Sequence, residues 1–192
     1  MRRIVLASAS PRRKEILEKF GLKFEIMTSE VEEEFDKYED PAKVAESLAL
    51  EKGLDVSKKC NKGDIVIAAD TIVYYDSILG KPRDREDAFN ILKSLSGKTH
   101  KVITGFTILE VGSEKKVVDH EVTSVKFRDL NDEKIERYLN TQEYVDKAGA
   151  YGIQGYGEIL VESISGSFSN VVGLPSYRVD KYLEDNFNLK LL

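Results

Sequence analysis

The chain has 192 residues, 41% of them hydrophobic and 33% charged, with a net charge of −5, 13 Gly and 4 Pro. That is long enough for one well-buried core, and the mixed charges with so little Gly and Pro exclude disordered, collagenous and low-complexity classes. The acidic balance excludes sequence-independent nucleic-acid binding, which relies on a strongly basic surface; a single cysteine, Cys60, and two histidines, His100 and His120, exclude an intrachain disulfide and any Cys- or His-rich metal site.

Arg2 and Arg3 followed by a few apolar residues superficially imitate a signal peptide, but the apolar part is far shorter than the ~7 to 15 residues of an h-region. No run approaches the ~20 apolar residues of a membrane span. A cytoplasmic, reducing setting is expected, with no membrane partner. Residues 4–7 read as a short strand and 11–20 as a helix, with Ser10 as N-cap, Pro11 at the first helical position and Gly21 closing it. Residues 23–27 alternate with period two, so a second strand is expected there.

The acidic stretch 30–40 reads as a loop, and Asp40-Pro41 opens a second helix with Val44, Ala45, Leu48 and Ala49 on one face. Residues 64–75, "DIVIAADTIVYY", are apolar on both faces, which predicts a central strand covered on both sides. A helix over 84–95 ends at Gly97. Residues 101–111 and 116–127 are β-type and joined by a turn at Gly112-Ser113, which predicts a hairpin. A helix over 131–139, a glycine-rich loop entering a strand and a last helix over 174–187 complete the chain. The class is α/β in one domain, 1–192, with no internal repeat.

Two places carry chemistry. The helix start at Ser10 holds Arg12, Arg13 and Lys14 in its first turn, where the helix dipole favours anions. Free N–H groups, the Ser8 and Ser10 hydroxyls and two guanidiniums suit a phosphate; the bland alternative pairs the arginines with glutamates such as Glu15. Asp70 interrupts the most strand-like segment of the chain, and a carboxylate there is costly to bury without a cation, a metal or a catalytic water. Gly80-Lys81-Pro82 presents an extended lysine, and the acidic run at Glu32, Glu33 and Glu34 could donate oxygens to magnesium. Neither Gly97-Lys98-Thr99, which lacks the first glycine of a P-loop, nor residues 152–157, with the wrong spacing for a dinucleotide fingerprint, is an ordinary nucleotide motif.

Seven segments in order, "LASASPRRKEIL" at 6–17, "LALEKG" at 48–53, "AADTIV" at 68–73, "GKPRD" at 80–84, "LSGKTHKVITG" at 95–105, "DKAGAYGIQGYG" at 146–157 and "NVVGLP" at 170–175, resemble the Maf family of nucleoside triphosphate pyrophosphatases. The resemblance implies a two-lobed mixed sheet with flanking helices, similar to inosine triphosphate pyrophosphatases, with the substrate in a cleft between lobes. It implies hydrolysis of a nucleoside triphosphate to monophosphate and pyrophosphate with a divalent cation, Mg2+ or Mn2+. The segment "AGAYGIQG" resembles the dTTP/UTP branch.

By the same resemblance, Asp70 is the proton acceptor, and Arg12, Thr71 and Gln154 govern the choice of base. Arg13, Lys52 and Lys81 would neutralise the triphosphate, with Ser8 beside them, and Glu33 would join Asp70 on the metal. The alternative is a nucleotide-binding regulator of cell division, active in septum formation, with little turnover. Modified pyrimidine triphosphates are a further substrate class for a pool-cleaning enzyme. The residues leave the oligomeric state, a homodimer included, open.

Overall fold

The computed structural model describes residues 2–191. Its elements are β1 (Ile4–Leu6), α1 (Pro11–Lys19), β2 (Glu25–Ile26), α2 (Pro41–Ser57), β3 (Ile65–Tyr75), β4 (Ser77–Leu79), α3 (Arg85–Leu95), β5 (Thr99–Glu110), β6 (Lys116–Phe127), α4 (Asp132–Leu139), β7 (Val161–Ser165), α5 (Phe168–Val172) and α6 (Ser176–Phe187). The seven strands form one mixed sheet in the order β2-β1-β3-β5-β6-β7, with β4 folded back on β3.

Local chemistry accounts for most boundaries. Ser10, Asp40, Asp84 and Asn131 each cap a helix by accepting a backbone N–H with the side chain, and Pro11 and Pro41 follow two of them at the first helical position. The sequence expects a full strand over 23–27, whereas β2 is two residues long and exposed. It offers no sign of β4 or α5, both short and dependent on packing. The predicted hairpin is the β5–β6 ladder, in register from Thr99 opposite Lys126 to Leu109 opposite Lys116.

β3 is covered on both faces, as its composition predicts. Ile65, Ile67 and Ala69 face α1 and α6 beside Leu17, Val179, Leu183 and Phe187. Val66 and Ala68 point the other way with Val56, and Ile72 on that same face meets Val44, Ala45 and Leu48 of α2. A second core lies at the far end, where Leu92 and Leu95 of α3 and Ile135 and Leu139 of α4 pack against Val102, Val125 and Phe127. α2 lies so close to the sheet that a Cβ on Gly105 would stand 2.2 Å from the Ala45 carbonyl, so that position admits only glycine.

The pairing of β3 leaves part of one edge open. β5 pairs with one edge of β3 along nearly its whole length, from Ile65 to Tyr74. On the other edge, parallel β1 stops at Leu6 opposite Ile67, and antiparallel β4 begins at Leu79 opposite Val73. Residues 68–72 of β3 are therefore left with an unpaired edge, just beyond the carboxyl end of β1. Crevices outside strand carboxyl ends are where open α/β sheets bind ligands.

Candidate active site

A cleft of about 920 Å³ opens at this gap. Ser8, Arg12, Arg13, Glu33, Lys52, Asp70, Thr71 and Lys81 all line it, so eight of the nine residues given a role by the family resemblance are brought together from five segments. Gln154 is the exception. It is exposed and does not line the cleft, although Tyr151, Gly152 and Ile153 just before it do.

Asp70 and Thr71 are adjacent on β3 and so point to opposite faces of the sheet. Asp70 takes the α2 side, where it is 8% exposed. The Lys52 ammonium, from the middle of α2, donates to Asp70 Oδ1 and also to Glu33 Oε1 at 2.7 Å. The Lys81 ammonium reaches Glu33 Oε2 at 3.4 Å. Partial burial works to raise the Glu33 pKa, but the hydrogen bonds and charges of Lys52 and Lys81 outweigh it and hold the carboxyl below its ordinary value. Asp70 Oδ2 accepts no hydrogen bond from any described residue, so one oxygen of this buried carboxylate is available.

On the other face, Thr71 meets the helix start. Arg13 donates from Nε to Gly173 O at 2.8 Å, from Nη1 to Ser8 Oγ at 3.1 Å and from Nη2 to Thr71 Oγ1 at 3.0 Å. Thr104 donates its hydroxyl hydrogen to Asn170 O at 2.9 Å, so Thr71 must be the donor in the 2.9 Å contact between the two threonines. Thr71 is thereby committed as donor to Thr104 and as acceptor from Arg13. Burial lowers the Arg13 pKa; the Arg12 charge adds to that effect, while Asp70 and Glu33 oppose it.

Neither arginine takes the bland pairing with Glu15. Arg13 is engaged at all three nitrogens by neutral oxygens, whereas Arg12 makes no hydrogen bond or ion pair with any described residue. The two neighbours differ because successive helical residues are turned about 100° apart: one points into the protein and the other into the cleft. Lys147, which sequence reasoning passed over, also lines the cleft. Its ammonium donates to the Glu143 carbonyl, and burial followed by the nearby Arg12 charge lowers its pKa. Its signal in the sequence was its place inside "DKAGAYG", two residues before Gly149.

Another wall of the cleft comes from the segment 142–157, of which residues 145–148 and 151–153 line it. Gln142, Asp146, Gly149, Ala150 and Gly155 all have positive φ there, three of them residues that carry a Cβ. Such backbone persists only where the surroundings over-determine it. Gly149 packs on Val73, and its N–H donates to Gly80 O at 3.2 Å, tying the segment to the end of β3 and to the Lys81 turn. Tyr151 is buried with its hydroxyl 2.7 Å from His100 Nε2.

Two carboxylates, Glu33 and Asp70, face the cleft as hard oxygen donors, and Asp70 keeps an oxygen without a protein partner. That set fits a magnesium-type ion, which is commonly held by one or two carboxylates together with substrate phosphates. A separate group, Glu46, Asp119 and His120, offers three ligand atoms within 4.8 Å of one another. None of the three lines the cleft, and their atoms are already engaged: Arg178 and Tyr182 donate to Asp119, and His120 Nδ1 is 2.7 Å from Glu46. Among the described residues no helix is long and apolar enough to cross a membrane.

The family model described as Maf-like protein matches residues 3–186. A protein of Alkaliphilus oremlandii (strain OhILAs) named dTTP/UTP pyrophosphatase is 48% identical over 192 residues, spanning 100% of both chains. A Pyrococcus furiosus protein of the same name is 49% identical over 99% of this chain and 98% of its own. Among solved structures, the nucleoside-triphosphatase / dITP/XTP pyrophosphatase of Mycobacterium abscessus superposes with a TM-score of 0.47 at 15% identity, over 97% of this chain and 95% of that one.

Proposed function

The chain belongs to the Maf family, and on that premise we propose that it is a nucleoside triphosphate pyrophosphatase that converts dTTP and UTP to the monophosphate and pyrophosphate. The relatives' shared name supports the activity. The observation that carries the assignment to this cleft is Asp70: a buried carboxylate on the unpaired edge of β3, fixed at one oxygen by Lys52 and available at the other. A regulator without turnover, the alternative reading, gives no reason for such a carboxylate and is not favoured.

In the proposed reaction Asp70 Oδ2 accepts a proton from water as the water oxygen bonds to the α-phosphorus. The bond from that phosphorus to the oxygen bridging the β-phosphate breaks, and pyrophosphate leaves. Lys52 holds Asp70 in place through its ion pair. Arg12 and Lys81 lie at the cleft with charge to offer the triphosphate, and Lys147 adds a third cation. Arg13 supplies positive potential from a fixed position and keeps Ser8 and Thr71 in register. Glu33 and Asp70 would hold a divalent cation, Mg2+ or Mn2+, which when bound supplies charge neutralisation on the phosphates. Gln154 reads the pyrimidine edge, its amide both donating and accepting. The activity is placed in the cytoplasm as nucleotide-pool housekeeping.

Incubation with a panel of canonical and modified nucleoside triphosphates and Mg2+ or Mn2+, followed by ion-exchange separation, tests the reading. UMP, dTMP and pyrophosphate are the expected products. Orthophosphate release, or intact nucleotide after long incubation, would overturn it.

A further inference from the structure

Gln154 sits at the apex of a loop whose two ends converge on one side chain, Glu143. Its Oε2 accepts the Tyr156 N–H at 2.8 Å and its Oε1 the Gly157 N–H at 3.0 Å, so a single carboxylate grips two consecutive backbone donors. Oε1 also accepts the Tyr138 hydroxyl at 3.3 Å, and that hydroxyl in turn accepts the Gly152 N–H at 3.3 Å. One carboxylate therefore holds the loop directly on its far side and through Tyr138 on its near side. Gly155 is required by this grip: its φ is +130°, and a Cβ there would stand 2.5 Å from Glu143 Oε2.

We propose that Glu143 is a positioning residue for base selectivity: by clamping residues 152–157 it sets where Gln154 meets the nucleobase. The inference rests on the pyrophosphatase reading above and on Gln154 contacting the base. The physical reason is the difference between a side chain and a loop. A glutamine at the tip of a glycine-rich segment can discriminate between hydrogen-bond patterns only if its backbone is held, because an unheld amide rotates or shifts to accept either edge. Glu143 touches no reacting atom, and Asp70, Lys52 and Glu33 make no hydrogen bond to it.

The test is steady-state kinetics of the full chain with UTP, dTTP, CTP and GTP, for wild type, Glu143→Gln, Glu143→Asp and Tyr138→Phe. Glu143→Gln keeps the shape but replaces one acceptor oxygen by an NH2 group facing a backbone donor. It is expected to raise KM for UTP and dTTP about ten-fold with kcat within about two-fold, and to lower the UTP-to-CTP ratio of kcat/KM by a similar factor. Tyr138→Phe, which removes only the near-side leg, should move both quantities in the same direction by less, and Glu143→Asp should recover part of the ratio. Amide hydrogen exchange should quicken at residues 152–157 in Glu143→Gln and not in β3.

A uniform loss on all four nucleotides, or an unchanged UTP-to-CTP ratio with wild-type exchange in the loop, would overturn the proposal while leaving the pyrophosphatase reading intact. Wild type that turns over none of the nucleotides would overturn that reading, and this inference with it. If Glu143→Gln fails to fold, the Tyr138→Phe ratio and exchange rates decide the matter alone.

Discussion

One wall of the cleft holds charge with long side chains from separate segments: Lys52 between Glu33 and Asp70, Lys81 on Glu33, and Arg12 with no described partner. The other, the 142–157 wall, is held by backbone N–H groups on one carboxylate and by a buried Tyr151–His100 contact. The Lys81–Glu33 pair is half-exposed and can exchange partners when a polyanion arrives, because such pairs contribute little net energy in water. Backbone donors on a fixed carboxylate cannot do so without moving the chain. Turnover is therefore expected to depend on the first wall, and the choice of base on the second.

Replacing Asp70 should break the first wall most severely. Asp70→Asn is expected to lower kcat by about 10² to 10⁴-fold while KM changes little, the range associated with losing a positioned base; rapid-quench turnover of UTP measures it. Equal activity would remove Asp70 from the mechanism.

Arg13→Met strands the Gly173 carbonyl and the Ser8 and Thr71 hydroxyls together, and should destabilise the fold by about 3 kcal/mol in urea denaturation. A change of less than about 1 kcal/mol would show that water replaces the guanidinium and that Arg13 is not structural.

The second wall can be probed by pH. Burial holds the His100 imidazole down to about 4 from an ordinary 6.5. The folded protein thus keeps it neutral while the unfolded chain takes up a proton below pH 6.5, so the stabilisation is complete above that value and is lost as pH falls toward 4. Between pH 7 and 5, where most carboxylates remain ionised, wild type should lose about 2 kcal/mol more than His100→Gln. Parallel stability profiles would place the proton elsewhere.

Arg12→Met should be the mildest change, within about 0.5 kcal/mol of wild type in stability, because no described group loses a partner. Its kcat/KM should nevertheless fall, which separates it from Arg13 by a measurement rather than by position. A stability loss equal to that of Arg13→Met would contradict the difference seen between the two neighbours.

The large elements were legible because their signals are local. β3 announces itself by apolar residues at successive positions, the β5–β6 hairpin by two β-type runs about a turn at Gly112, and two helices by Ser10-Pro11 and Asp40-Pro41 at their starts. The suspicion attached to Asp70 was also local, since a carboxylate within such a run demands a partner. β4 and α5, three and five residues long, were not legible; elements so short are stabilised by what they pack on rather than by their own propensity. Glu143 was invisible for another reason. Its main partners are backbone N–H groups 13 and 14 residues away, and every non-proline residue carries one.

By itself the sequence determined the α/β class, the order of the main elements, the family resemblance and the residues that converge on one cleft. The tertiary structure decided what each of those residues is free to do. Arg12 and Arg13 are the same side chain one position apart, yet Arg13 is committed to Gly173, 160 residues away in the chain, while Arg12 faces the cleft. Residue type sets which charges and donors are present. Which of them are already satisfied depends on segments distant in sequence, and only the folded chain brings those together.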